Sequence, residues 1–263
     1  MLSGLAWAAM FVSVAVMIFG VAAMMGQPVW QLELATIEAV ITGTSIGWAF
    51  VVRLVLLFMA AATLMMNSRP IYANAVAASL FGFALATLPW SGHAAGSEEV
   101  WGVVHKLGDT IHLLAAGLWL GAISWFLYLI VEVDRRPGEI IPDGVLADMH
   151  RFAPLGVILV GIVGVTGLAN AQFIFGVENS LAVLKTGYGA LLIGKVMLVG
   201  LMLIFAARNA HFARRHSKVV SPQTGDTAHI VSQLRISLAT EIALATAVIG
   251  LTAWIGTMSP MVD

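Results

Sequence analysis

The 263-residue chain contains no cysteine. That absence excludes disulfides, thiolate metal sites, iron–sulfur clusters and cysteine nucleophiles. Charge is scarce as well. Asp, Glu, Lys and Arg make up 10% of the residues, against about 25% in an ordinary soluble domain. With 13 basic and 14 acidic residues, the chain has no cationic excess to offer phosphates, so it is not a nucleic-acid binder. It has no Walker A, G-x-S-x-G or H-E-x-x-H sequence. That argues against ATP-driven transport by this chain itself, and the chain does not read as an enzyme. Without thiolates, any soft-metal chemistry has to use Met and His.

What the chain has is apolar surface. Apolar residues account for 60% of it, with 26 Gly, 8 Trp and 13 Met, and the mean hydropathy is +0.94. A membrane-spanning helix needs about 20 mostly apolar residues. Seven stretches qualify: Leu5–Gly26, Ile46–Met66, Ile71–Trp90, Trp101–Val131, Phe152–Phe175, Gly187–Arg208 and Ile236–Met258. No stretch alternates as the strands of a membrane barrel would. The sequence therefore predicts an all-α fold, a polytopic transmembrane helix bundle of about seven spans. Residues 1–263 read as a single integral membrane domain in a lipid bilayer. The polar stretches Glu132–Arg151 and Asn209–Arg235 are expected to be loops. Gly161, Gly164 and Gly167 have the spacing that allows close helix approach in lipid. The first span is too long, and lacks the basic start, for a cleaved signal peptide.

Lys and Arg set the orientation. Arg69, Arg135, Arg136, Arg151, Arg208, Arg214, Arg215, Lys218 and Arg235 all fall in even-numbered loops, whereas the odd loops hold only Lys106 and Lys185. The positive-inside rule then puts the N-terminus in the cytoplasm and the C-terminus outside. Met24, Met25, His93, His105, Met258 and Met261 fall at or near the outer face.

Ionisable groups within spans are expensive and mark functional or pairing roles. The fourth span carries His105, Asp109 and His112. At about 100° per residue they share one stripe about 60° wide. Imidazole and carboxylate on one face suit metal binding or proton relay. They equally suit a polar cluster that only pairs with Arg53 or Lys195, which lie at similar depth. Glu241, about one turn inside the seventh span, reads first as a structural anchor, with Arg208 or Arg151 as partner. Asn170 reads as an interhelical hydrogen-bond residue. Thioethers with imidazole suit Cu(I), which makes Met24, Met25, Met258 and Met261 candidate ligands beside His93. The competing reading of each Met is apolar filling.

The run from His105 through Gly-Asp109 and His112 to Trp119-Leu-Gly121 resembles the hallmark helix of the CopD copper-resistance and copper-transport family. Further segments follow in the same order. They are Gly43-Thr-Ser-Ile-Gly47 with Arg53, Gly92-His93-Ala94, Arg151-Phe152, Thr166-Gly167 with Asn170, Thr186-Gly-Tyr188-Gly189 with Lys195, Ala207-Arg-Asn209, and Arg235 with Glu241. The resemblance covers about residues 22–260. It implies a multi-pass protein of the bacterial inner membrane that handles copper, beside a periplasmic copper-binding partner of the CopC type. It places His93, His105, Asp109 and His112 on the copper path. Family members usually carry a further helix ahead of the one that starts here at Leu5, so either a seven-helix variant or an upstream start is expected. The alternative reading is a membrane redox protein holding b-type haem or copper between helices.

Overall fold

A computed structural model describes residues 2–66, 70–91, 100–135, 142–216 and 224–258. Among the described residues all regular structure is helical. The α-helices are α1 (Leu2–Met25), α2 (Leu34–Gly43), α3 (Ser45–Met66), α4 (Pro70–Ala86), α5 (Val100–Arg135), α6 (Pro142–Phe175), α7 (Ser180–Val183), α8 (Gly187–His216) and α9 (Thr224–Ile255). Seven of these are long and apolar enough to cross a membrane: α1, α3, α4, α5, α6, α8 and α9. The protein is an all-α, multi-pass membrane protein. Large apolar side chains point outward along these helices, for example Phe11, Val157 and Leu168. In water that surface would be a liability; in lipid it is the solvated face.

Two expectations need correction. Glu132–Arg151 and Asn209–Arg235 are not simply loops. α5 runs on to Arg135, α6 starts at Pro142, α8 continues to His216 and α9 starts at Thr224. At about 1.5 Å per residue, the 36 residues of α5 exceed the roughly 30 Å of bilayer hydrocarbon. Polar extensions of the helices therefore occupy stretches that hydropathy reads as connections. The second correction concerns Gly161 and Gly164. Among the described residues, a Cβ at either position would meet nothing within 4 Å, so neither glycine marks a close helix approach there.

The chain divides into two compact units, Met1–Leu114 and Ala115–Asp263. In the first, α3 packs against α1, α2 and α4. Its core is Met17, Val21, Val40 and Phe50, with Trp7 set edge-on to Phe58. In the second, α8 packs against α6 and α9. Its larger core includes Trp119, Phe126, Ile130, Met149, Leu234 and Leu238, with Phe126 edge-on to Phe152.

One local arrangement occurs in both units. In the first, a short helix ends at Thr44. Its hydroxyl donates to Val40 O at 2.7 Å and accepts from Gly47 N–H at 3.1 Å. In the second, Thr186 follows α7, donates to Val183 O at 2.7 Å and accepts from Gly189 N–H at 3.2 Å. Each threonine thus caps the next long helix by satisfying a first-turn N–H. Each glycine is required by space, because a Cβ would overlap the carbonyl oxygens of Val40 and Ile41 in one case and of Val183 in the other. A cation in the following helix, buried at Arg53 and half-buried at Lys195, stands nine residues after the threonine both times: Thr44 to Arg53, and Thr186 to Lys195. A ten-residue pattern, Thr-x-x-Gly-x-x-x-x-x-(Arg/Lys), is therefore repeated with the same local fold.

Candidate functional site

α5 presents the polar stripe. His105 and Asp109 are one turn apart, and His105 Nε2 lies 3.7 Å from Asp109 Oδ2. Both side chains are partly buried. The separation is too long for a hydrogen bond but close enough for an electrostatic contact. His112 is half-buried on the same helix. Thr110, between them, spends its hydroxyl on Lys106 O at 2.8 Å. Among the described residues, no three His, Asp or Glu side chains close into a group that could hold a metal ion. The stripe therefore offers a His–Asp pair rather than a closed cage.

Arg53 is 6% exposed in α3. Its Nε donates to Thr87 Oγ1 at 2.8 Å and its Nη2 to Thr87 O at 3.3 Å. Thr87 follows the last turn of α4, and sequence reasoning missed it. The available signal was a hydroxyl residue closing an apolar helix just before Pro89. Met24 and Arg53 line one cavity of about 90 Å³. Met25 is 48% exposed.

Met258 packs against the small core of Val183, Tyr188 and Ile255. His93 and Met261 lie outside the described residues. Lys195 and Asn170 are both half-buried, in α8 and α6.

Glu241 is 1% exposed and Asn209 5% exposed. Asn209 Nδ2 donates to Glu241 Oε1 at 2.5 Å, joining α8 to α9. Of the two arginines expected as partners, Arg208 acts on Glu241 through its charge without a hydrogen bond, and Arg151 is engaged elsewhere. Arg151 Nη1 lies 3.4 Å from Asp148 Oδ1, and Arg208 stacks over the Phe205 ring at 5.2 Å. Asn209, placed at the start of a loop by sequence reasoning, is inside α8 and is the residue that holds the carboxylate.

Two family models match the chain. One, described as "Copper resistance protein D-like, N-terminal domain", covers residues 1–103. The other, "Copper resistance protein D", covers residues 146–255. Over its whole length the chain is 32% identical to "Copper resistance protein D" of Pseudomonas syringae pv. tomato, of which it covers 84%. The chain belongs to the copper resistance protein D family. Two other members of the comparison match only in part. "Copper transport protein CutJ" of Bacillus subtilis is 32% identical over 63% of this chain and 28% of its own length. "Inner membrane protein YebZ" of Escherichia coli is 30% identical over 46% of this chain and 39% of its own length. None of these names mentions haem, and the redox alternative gains no support from them. No solved structure matches the chain.

Proposed function

We propose that this protein moves copper across the bacterial inner membrane, with copper as cargo rather than as a resident cofactor. The observation that carries the reading is the His105–Asp109 pair on a membrane-spanning helix of a copper resistance family. Metal–nitrogen and metal–oxygen bonds are each about 2 Å, so the 3.7 Å gap between Nε2 and Oδ2 has room for one ion held by both. His112, just under one turn beyond Asp109 on α5, is the next donor. A ladder of weak sites lets an ion leave as readily as it arrives. Asp109 supplies the anionic oxygen donor and His105 the imidazole nitrogen.

The N-terminus lies in the cytoplasm and the C-terminus in the periplasm, following the basic loops. His93, Met24, Met25, Met258 and Met261 then lie on the periplasmic side, where they collect copper delivered by a small CopC-type binding protein. Arg53 ties α3 to the end of α4 within the first unit, and Asn170, Lys195 and Glu241 have pairing roles among helices of the second. The two compact units work as one integral membrane domain, and no chemical transformation of a substrate is involved.

The test is copper accumulation in cells that express wild-type protein, His105→Ala or His112→Ala at equal membrane levels. Either variant lowers accumulation severalfold. Unchanged accumulation in both would overturn the reading.

A further inference from the structure

The second unit holds a cavity of about 280 Å³ whose walls come from α5, α6, α8 and α9. Trp119, Phe126, Met149 and Phe152 give it an apolar lining, and Glu241 and Asn209 are its polar groups. It is many times larger than one water requires. Glu241 is thus a carboxyl that is almost wholly buried within a membrane span yet borders open space.

The surroundings of that carboxyl are unusual for a structural ion pair. From α8 it meets Asn209 directly, and Arg208 acts on it through its charge; Arg208 is exposed and stacks on Phe205. From its own helix, Ser237 lies one turn away, also buried. The residues that α5 and α6 contribute to the cavity include no ionisable side chain. An intramembrane carboxyl fixed by a bonded arginine would stay an anion. One held by a carboxamide need not. Asn carries a donor and an acceptor on the same planar group. Its Nδ2 donates to the carboxylate, and after rotation of the amide its Oδ1 accepts from the protonated acid. The bond survives in both states, so neither leaves the pair unsatisfied.

We propose that Glu241 is a proton-exchange site. The carboxylate takes a proton from hydronium that reaches it through the cavity, releasing water, and returns the proton by the reverse step. Asn209 reverses the sense of its hydrogen bond each time. This inference stands on the second unit alone and does not depend on copper passage. It gives the protein a means of responding to proton concentration from within the membrane.

Infrared difference spectroscopy of protein in lipid vesicles, recorded on a step from alkaline to acid pH, tests the proposal. Wild type gains a protonated-carboxyl C=O band that Glu241→Gln lacks. Dye-monitored proton uptake falls by about one proton per chain in the same variant, the stoichiometry of a single carboxyl. Asn209→Leu keeps the band but moves its frequency, because the hydrogen-bond partner is gone. That second variant reads the same carboxyl should Glu241→Gln fail to fold. Spectra identical in wild type and Glu241→Gln overturn the proposal. So does a Glu241 band that ignores pH, or one that Asn209→Leu leaves unmoved.

Discussion

Arg53 Nε donates to Thr87 Oγ1 at 2.8 Å, and the same hydroxyl donates onward to Ala84 O at 2.7 Å. The hydroxyl proton is thereby committed to the helix end, and its lone pair faces the guanidinium. The chain of bonds ties α3 to the close of α4. Thr87→Val keeps the shape and removes the acceptor, while Thr87→Ser keeps both bonds. A hydrogen bond to a charged group contributes about 1.5–3 kcal/mol. Thr87→Val is expected to lose about 2 kcal/mol and to unfold at lower temperature in detergent, with Thr87→Ser close to wild type. Equal unfolding temperatures for Thr87→Val and wild type would show that the bond contributes nothing.

Seven spans were legible in the sequence because lipid demands long uninterrupted apolar runs, and such runs are visible without any knowledge of contacts. The polar ends of α5, α6, α8 and α9 were not, since hydropathy reports where lipid is rather than where the helix stops. α2 was hidden for another reason: a ten-residue helix is too short to span, so the stretch counted as connection. The donors at His105 and Asp109 were legible as a stripe because i and i+4 share a helix face. Partners across helices were not. Nothing along the chain ties Arg53 to Thr87 or Glu241 to Asn209, and charge alone pointed to arginines for the latter. The repeated Thr-x-x-Gly pattern was in plain view, but its meaning lies in backbone contacts that only the fold supplies.

The His105–Asp109 contact predicts how copper affinity responds to a subtle change. Asp109→Asn keeps size and packing but removes the charge beside the imidazole. Loss of even an outer-shell partner costs a metal site about 10–100-fold in affinity, and loss of a charged donor costs no less. Competition of purified protein with a chromophoric Cu(I) chelator should show a fall in that range for Asp109→Asn. His105→Ala should fall at least as far. Affinity unchanged in Asp109→Asn would place the carboxylate in helix packing rather than on the copper path.

The glycines divide into two classes with opposite expected responses. At Gly47 and Gly189 an added methyl would overlap backbone carbonyls of the preceding short helix, which cannot swing aside as a side chain would. Gly47→Ala and Gly189→Ala are expected to cost several kcal/mol or to abolish accumulation in the membrane, about the upper range for overpacking. At Gly161 the methyl would enter open space. Gly161→Ala should be neutral or raise stability by about 0.5–1 kcal/mol through helix propensity. Thermal unfolding of the three variants decides it. A destabilised Gly161→Ala would mean that another helix covers that face.

In the proposed function, the orientation of the chain sets the side on which each donor would meet copper. Nine basic residues in the even loops against two in the odd loops is a strong asymmetry. A phosphatase that is active only in the periplasm, fused after Asp263, is expected to be active, and a fluorescent protein that matures only in the cytoplasm is expected to be dark there. Fusions in the stretch after His216 should give the reverse. Replacing Arg214, Arg215 and Lys218 with Gln weakens the bias most, because the connection between α8 and α9 and the helix ends beside it carry five of the nine cations. A dark phosphatase and a bright fluorescent protein at the C-terminus would invert the whole scheme. His105 would then sit at the cytoplasmic mouth of α5, and copper would meet the His105–Asp109 pair last instead of first.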